Sequence, residues 1–399
     1  MPIDIKSLSS DELAARFNDW GQPAFRVSQV LSWIYGRRVT SWEAMTNLPG
    51  SLRERLHREF SLCALELVHK QGAPDTTQKF LWRLSDHSLV ESVLIPASPA
   101  LYGEPSDRHT LCVSTQVGCA YGCKFCASGL LGWKRNLLAE EIVDQVLAVE
   151  RWHSGRQRAG SNAATDGSEA QPATTVDLRA RQRPAPATRL VSNLVIMGMG
   201  EPLANYENLL KGLKILNASW GGGIGARKIT ISTSGLAPQI RRLAEEPLQF
   251  RLALSLHGAT DAVRSRLMPV NRKYPLGELI AACEYYQRQR GRMITLEYIL
   301  IAGVNDGLDQ VKPLAALARR LNAKINLIPY NPVEGLNWER PDERAQEGFL
   351  EALEQQRVSA TLRREKGGEI DAACGQLRLK TERQEQAGDR AVVPKSREM

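Results

Sequence analysis

Leu111-Cys-Val-Ser-Thr-Gln-Val-Gly-Cys-Ala-Tyr-Gly-Cys-Lys-Phe-Cys-Ala127 opens as a short β-branched run and closes on three thiols, Cys119, Cys123 and Cys126, spaced C-x3-C-x2-C. Thiolates are the ligands of iron–sulfur clusters, and a loop this short brings three of them to one face. Three ligands leave one iron of a 4Fe–4S cluster without a protein ligand, open to a substrate or cofactor. A structural zinc site needs a fourth ligand, which this motif does not supply. Phe125, between two of the thiols, is placed to shield the cluster from solvent. A loop that follows a strand in this way has the position of an active-site loop in a barrel of parallel strands.

Downstream of this stretch, apolar runs alternate with amphipathic segments. The runs read as strands are 111–114, 194–197, 228–232, 251–256, 294–300 and 324–328, with a late one at 359–363. Between them, helices are predicted over 139–152, 206–217, 236–244, 276–288 and 311–321. Strand–helix alternation argues for a parallel sheet with crossover helices. The predicted fold class is therefore α/β, a partial (β/α)6-type barrel over residues 111–380, with its chemistry at the C-terminal ends of the strands. The region 153–188 interrupts the pattern. It is rich in Ala, Gly, Ser, Pro, Gln and Arg and nearly lacks large apolar groups, so it is read as a disordered insertion.

Upstream, residues 1–75 read as a small all-helical accessory domain, with Phe25–Tyr35 at helical spacing and a break at Leu48-Pro49-Gly50. Residues 76–110 resemble a pair of strands leading into the barrel. The tail, 381–399, is read as disordered.

Composition narrows the function classes. The 399 residues are 43% hydrophobic and 24% charged, enough for a sizeable core. No run of apolar residues is long enough for a membrane span, and the N-terminus lacks the apolar stretch of a signal peptide, so the expectation is a cytoplasmic protein, by default a monomer. Seven cysteines without an export signal favour metal binding or thiol chemistry over a disulfide scaffold. The net charge of +8 is a weak argument for a polyanionic partner, because residues 151–190 alone hold seven arginines against three acids.

Polar groups recur at successive strand ends. Gly200 and Glu201 stand in Met197-Gly-Met-Gly-Glu-Pro202, where glycine lets backbone approach a ligand closely and the carboxylate can receive an ammonium. Ser232 ends the next strand, Ser255-Leu256-His257 the one after, and Asn331 follows the last. One such residue is an ordinary turn residue; repetition at the same end of successive strands is a ligand site. Together with the thiol spacing, this set resembles the radical S-adenosylmethionine family. The resemblance implies a 4Fe–4S cluster whose open iron chelates S-adenosylmethionine, reductive cleavage to a 5′-deoxyadenosyl radical, and an external electron donor whose identity the sequence does not carry.

Two further cysteines narrow the family. Cys112 stands just before the cluster loop and Cys374 lies far away in Asp371-Ala-Ala-Cys-Gly-Gln-Leu377; Cys63 and Cys283 read as core residues. Together with Gln116-Val-Gly-Cys-Ala120, Leu254-Ser-Leu-His257, Met268-Pro-Val-Asn-Arg272 and Leu296-Glu-Tyr298, they resemble the RlmN family of RNA adenine C2-methyltransferases from about residue 10 to about 380, the insertion excluded. The resemblance implies 23S rRNA and tRNA as substrates and two molecules of S-adenosylmethionine per turnover. Cys374 would take a methyl group from the first. A radical made from the second would activate that methyl for attack on carbon 2, and Cys112 would form a transient disulfide with Cys374 to release the product. Glu91 matches the family's proton acceptor, and Phe25-Arg26 with Trp33-Ile-Tyr35 resembles its N-terminal RNA-holding domain. The rival readings are the related adenine C8-methyltransferase that confers antibiotic resistance, and a non-catalytic iron–sulfur protein that binds RNA or transfers electrons. The second leaves Cys112 and Cys374 without a role.

Overall fold

The computed structural model describes residues 2–73, 76–97, 107–130, 132–164, 189–363 and 375–392. They form two compact units.

The first unit holds residues up to Leu65 together with Ala139–Ser192 and Lys211–Ile224. Its first long helix, Ser10–Asp19, is started by a capping box: the Ser9 hydroxyl accepts the Glu12 N–H, and the Glu12 carboxylate accepts the Ser9 N–H. Leu13 and Phe17, four apart, turn one face inward. Helix Phe25–Leu31 runs on into a π-helical turn, Ser32–Gly36, which buries Trp33, Ile34 and Tyr35. The expected all-helical character is nearly kept. The exception is a short parallel pair of strands, β1 (Ile3–Asp4) and β2 (Phe60–Ser61).

The expected boundary at residue 75 moves to Leu65, and later segments join the unit. Buried charge explains this. Helix Ala139–Ala164 carries Asp144 and Glu150, charged residues of a kind that helices ordinarily turn to solvent. Asp144 instead lies 3.9 Å from the Lys6 ammonium and accepts the Leu65 N–H, and Glu150 pairs with Arg38 at 3.1 Å. Glu150 also accepts the N–H groups of Leu190 and Val191, tying down the chain after the insertion. Removing one partner from such a buried pair strands the other charge, so these contacts fix the unit's membership. The same helix extends to Ala164 rather than ending near Trp152, so 153–164 are not the disordered stretch expected; 165–188 lie outside the described residues.

The second unit is built on one ten-stranded sheet. Its first strands are β3 (Glu66–Gln71), β4 (Gln78–Arg83), β5 (Leu89–Pro96) and β6 (His109–Cys112), paired antiparallel in sequence order. The expected strand pair is thus part of the main sheet rather than a linker. A separate antiparallel hairpin follows, β7 (Gln116–Gly118) and β8 (Trp133–Asn136). The sheet then continues in parallel from β6 through β9 (Asn193–Ile196), β10 (Ile229–Thr233), β11 (Arg251–Ser255), β12 (Thr295–Leu300), β13 (Lys324–Pro329) and β14 (Ala360–Leu362). Leu194, Ile196, Ile229, Ile231, Leu254, Leu296, Tyr298, Ile325 and Leu327 are fully buried and share one face of it, while Ser232, Ser255, Glu297 and Asn326 share the other. Among the described residues the order is linear, β14 to β3, with no pair closing the ends, so the α/β partial barrel expected from the sequence is the fold. Helix Gln376–Val392 follows, over residues expected to be disordered from 381 on. Its Leu377 and Leu379 are buried and its Arg378 pairs with Glu382 at 2.9 Å, one turn along; these contacts order the segment.

Candidate active site

The hairpin β7–β8 brackets the thiol loop. The Cys119 N–H donates to the Gly132 carbonyl at 3.2 Å, closing the loop at its base. Inside it, the Cys126 N–H donates to Cys123, the Lys124 N–H to the Leu267 carbonyl at 2.9 Å, and the Trp338 indole to the Lys124 carbonyl at 2.7 Å. The loop is therefore fixed from three sides before any ligand binds. Burial pushes the Cys119 thiol up to about 12 and Cys123 well above its ordinary value. Buried thiols of this kind ionise only with a cationic partner, which iron supplies. Each thiol is felt electrostatically by its neighbours in the loop, Cys123 by both Cys119 and Cys126, so the three stand close together; among the described residues no three such groups are placed as ligands of a single ion. The donor set fits a 4Fe–4S group on Cys119, Cys123 and Cys126.

Next to the loop stand the strand-end residues. Gly200 has φ +98°, and a Cβ there would lie 2.5 Å from the Gln116 side chain, so only glycine lets the turn after β9 approach the hairpin. The following Glu201 is buried. Its N–H donates to the Gln116 side-chain oxygen at 2.8 Å, and its carboxylate accepts from the Leu203 N–H (3.0 Å), the Thr233 hydroxyl (2.8 Å) and the Ser234 N–H (2.6 Å). Burial nonetheless raises its pKa, so the carboxylate is underpaid in solvation and would gain from a cation. Ser232 and Ser255, on neighbouring strands, bring their hydroxyls to 3.3 Å. Asn331 lies two residues beyond the end of β13, its side chain accepting from Arg340 at 3.3 Å.

His257 takes φ +54°. Its Nδ1 accepts the Ile299 N–H at 3.0 Å and its ring meets Phe125 edge-on at 4.8 Å. Burial, with Arg264 nearby, pulls its pKa down to about 3, so the imidazole is neutral at physiological pH. Leu256 contributes its backbone: its N–H donates to Glu297 and its carbonyl accepts from Arg264.

A second group lies on β4–β6. Cys112 is buried and pairs in register with Val93. Glu91, two residues before Val93, therefore shares a face of the sheet with it. The Glu91 carboxylate is buried against Lys79 at 3.2 Å and accepts the N–H groups of Gly375 (2.9 Å) and Arg378 (2.7 Å). It caps the first turn of helix Gln376–Val392 from a distant strand. Gly375 has φ +83°, and a Cβ there would lie 2.8–2.9 Å from Ser128, two residues beyond Cys126. Cys374 itself lies outside the described residues.

Sequence reading missed three side chains here. Glu297 is buried within the row that carries Ser255 and is held by the Asn326 amide at 2.6 Å. Arg264 is fully buried and donates to the carbonyls of Leu256 and Ser234 and to Asn271. Lys79 is read as a strand residue until its ion pair with Glu91 is seen. Only Glu297 had a signal, a charged residue amid an otherwise apolar strand.

Comparison with known proteins identifies the family. Residues 3–62 match the ribosomal RNA large subunit methyltransferase N-terminal domain, and 177–315 match the Radical SAM superfamily. A probable dual-specificity RNA methyltransferase RlmN 3 from Opitutus terrae is 52% identical over 386 residues, 96% of either chain. The dual-specificity RNA methyltransferase RlmN of Anaeromyxobacter dehalogenans is 43% identical over 94% of this chain and 91% of its own. Among solved structures, a radical SAM methyltransferase from Sphaerobacter thermophilus superposes with a TM-score of 0.80 at 41% identity, over 94% of this chain and 99% of its own. The chain belongs to the RlmN family of dual-specificity RNA methyltransferases and, with it, to the radical S-adenosylmethionine enzymes.

Proposed function

We propose that the chain methylates carbon 2 of adenine in 23S rRNA and in the tRNA anticodon loop, using Cys374 as the methyl carrier. The observation that carries this reading is the position of Gly375, the residue after Cys374. Its N–H is held by Glu91 on the face of β5 that Cys112 shares, and its α-carbon lies against Ser128 behind the thiol loop.

Cys119, Cys123 and Cys126 hold the 4Fe–4S cluster, and when bound it supplies the electron that cleaves S-adenosylmethionine to a carbon radical. Glu201 receives the methionine ammonium, with Gly200 giving it room; Ser232 receives the carboxylate, and Ser255, Leu256, His257 and Asn331 bound the rest of the cofactor. The Cys374 thiolate takes one methyl by displacement at the sulfonium, a step suited to a sulfur nucleophile. Carbon 2 of adenine is electron-poor, which is why the second step needs a radical. A hydrogen atom leaves the S-methyl group, its carbon bonds to carbon 2, and the adduct gives one electron back to the redox chain that supplied it while Glu91 takes the proton from carbon 2. Cys112 then attacks the Cys374 sulfur, and the sulfur–carbon bond breaks with its electron pair on carbon. That carbon is protonated to the product methyl group, and the disulfide formed is later reduced by cellular thiols. Such a cycle suits a reducing cytoplasm. We further propose a monomer that takes electrons from an external low-potential donor; no described helix is long and apolar enough to cross a membrane.

Anaerobic reconstitution with dithionite, S-adenosylmethionine and a 23S rRNA fragment tests the reading. Mass spectrometry should find S-methyl on Cys374 and 2-methyladenine in the RNA. An unmodified Cys374, or a methyl on carbon 8, would overturn it. Cys374→Ala should keep the cluster and lose RNA methylation.

A further inference from the structure

Arg264 is a fully buried guanidinium beside the strand-end loops, and its hydrogen-bond partners among the described residues are all uncharged. Nε donates to the Leu256 carbonyl at 3.1 Å, one Nη to Asn271 at 2.7 Å and the other to the Ser234 carbonyl. Among the described residues it makes no ion pair. The nearest acid on its own helix, Asp261, is spent on the Asn271 amide (2.8 Å) and the Leu276 N–H (2.9 Å). The other charged or titratable groups around it are His257, held neutral, and the thiols Cys123 and Cys283. Asp261 acts on it only at a distance, through the Asn271 side chain, so the charge is incompletely compensated, and a buried cation in that position is costly.

The thiol loop lies close to it. Helix Asp261–Leu267, which carries Arg264, ends on the carbonyl that accepts the Lys124 N–H, between Cys123 and Cys126. Arg264 is felt electrostatically at Cys123, so the thiol loop and the guanidinium share one low-dielectric region. Three thiolates with a cluster bring net negative charge there, and one-electron reduction adds another.

We propose that Arg264 is the buried counter-charge of the iron–sulfur centre, a positioning residue that raises its reduction potential while holding the Ser234 and Leu256 loops at the cofactor's edge. The inference rests on the cluster reading above. A cation beside an anionic centre favours the more negative, reduced form, so the field of Arg264 eases delivery of the electron. The hydrogen bonds and the charge are separable roles. Arg264→Gln keeps a short donor but no charge, and Arg264→Lys keeps the charge but not the three-way fork.

The test is a mediated redox titration of anaerobically reconstituted full-length protein, with dithionite as reductant and the reduced cluster read by electron paramagnetic resonance. In Arg264→Gln the oxidised-to-reduced ratio at a fixed potential should rise at least tenfold, a fall of about 59 mV for a one-electron couple, while Arg264→Lys stays near wild type. A midpoint in Arg264→Gln equal to wild type overturns the proposal. If Arg264→Gln fails to load iron, Arg264→Lys decides: wild-type iron content and midpoint support the counter-charge, and loss of both shows that the fork alone matters and overturns it. A wild-type chain that takes up no four-iron cluster would refute the proposed function itself, whatever Arg264 does.

Discussion

Glu201→Gln separates ligand recognition from folding. In the wild type one carboxylate oxygen accepts from Leu203 and Thr233 and the other from Ser234. The amide can keep the first two and turns an NH2 toward the Ser234 N–H. That lost acceptor costs about 1–3 kcal/mol. Against it stands the relief of burying a neutral group, and relief is substantial because burial outweighs the hydrogen bonds in setting the pKa of Glu201. The two offset each other, and the unfolding free energy without cofactor should move by only ~1 kcal/mol. Binding has no such offset. The charge-assisted contact to the methionine ammonium, worth ~1.5–3 kcal/mol, disappears, and Kd should rise roughly 10- to 150-fold. Isothermal titration of the oxidised holoenzyme with S-adenosylmethionine, beside urea unfolding of the same preparation, reads both. An affinity within threefold of wild type would refute the assignment of the ammonium to Glu201. The pH dependence has a definite sign. A carboxyl raised on folding contributes stability that is complete below its unfolded pKa and is lost as pH rises through the folded one, so wild type should lose more than the variant over that interval.

Three further outcomes follow from the geometry. Gly200→Ala puts an L-residue at φ +98° with its Cβ 2.5 Å from Gln116; a loss of about 2–4 kcal/mol in urea unfolding is expected, and a loss under 0.5 would contradict the close approach. Lys79→Met strands the buried Glu91 carboxylate and should cost about 3–5 kcal/mol, much of it recovered in the Lys79→Met/Glu91→Gln double variant; equal instability of single and double variants would count against the pair. His257, at about 3, lies below its unfolded value, so its contribution is present above that unfolded value and lost as pH falls toward 3. His257→Asn, which tolerates the positive φ, should flatten stability against pH over that window, and parallel curves for the two proteins would exclude the shift.

The parallel strands were legible because apolar residues recur at every second position, as in Ile229/Ile231, Leu252/Leu254, Leu296/Tyr298 and Ile325/Leu327, and the thiol loop because its chemistry is local. What escaped was decided by distant partners. The hairpin β7–β8 is mixed in polarity and depends on Gly118 meeting Gly132. Asp144 and Glu150 lie on a helix face that looks solvated, yet Lys6 and Arg38 claim them. The helical continuation to Ala164 and the helix Gln376–Val392 arise in segments whose composition alone suggested disorder. Ser232 and Ser255 were found by their repeated position at strand ends, a signal of topology. Arg264 offered no signal, since an arginine on a short helix is ordinarily exposed.

The grip of Glu91 on Gly375 spans 284 positions. A polypeptide leaves the ribosome from its N-terminus, and early regions fold as they emerge. Strands β4 to β6 and the thiol loop are therefore made long before the helix that covers Glu91 and its lysine. Until that helix is made, the carboxylate lacks two of the N–H groups it accepts in the finished fold. The contact that sets Gly375 against Ser128 is thus among the last that biosynthesis can complete.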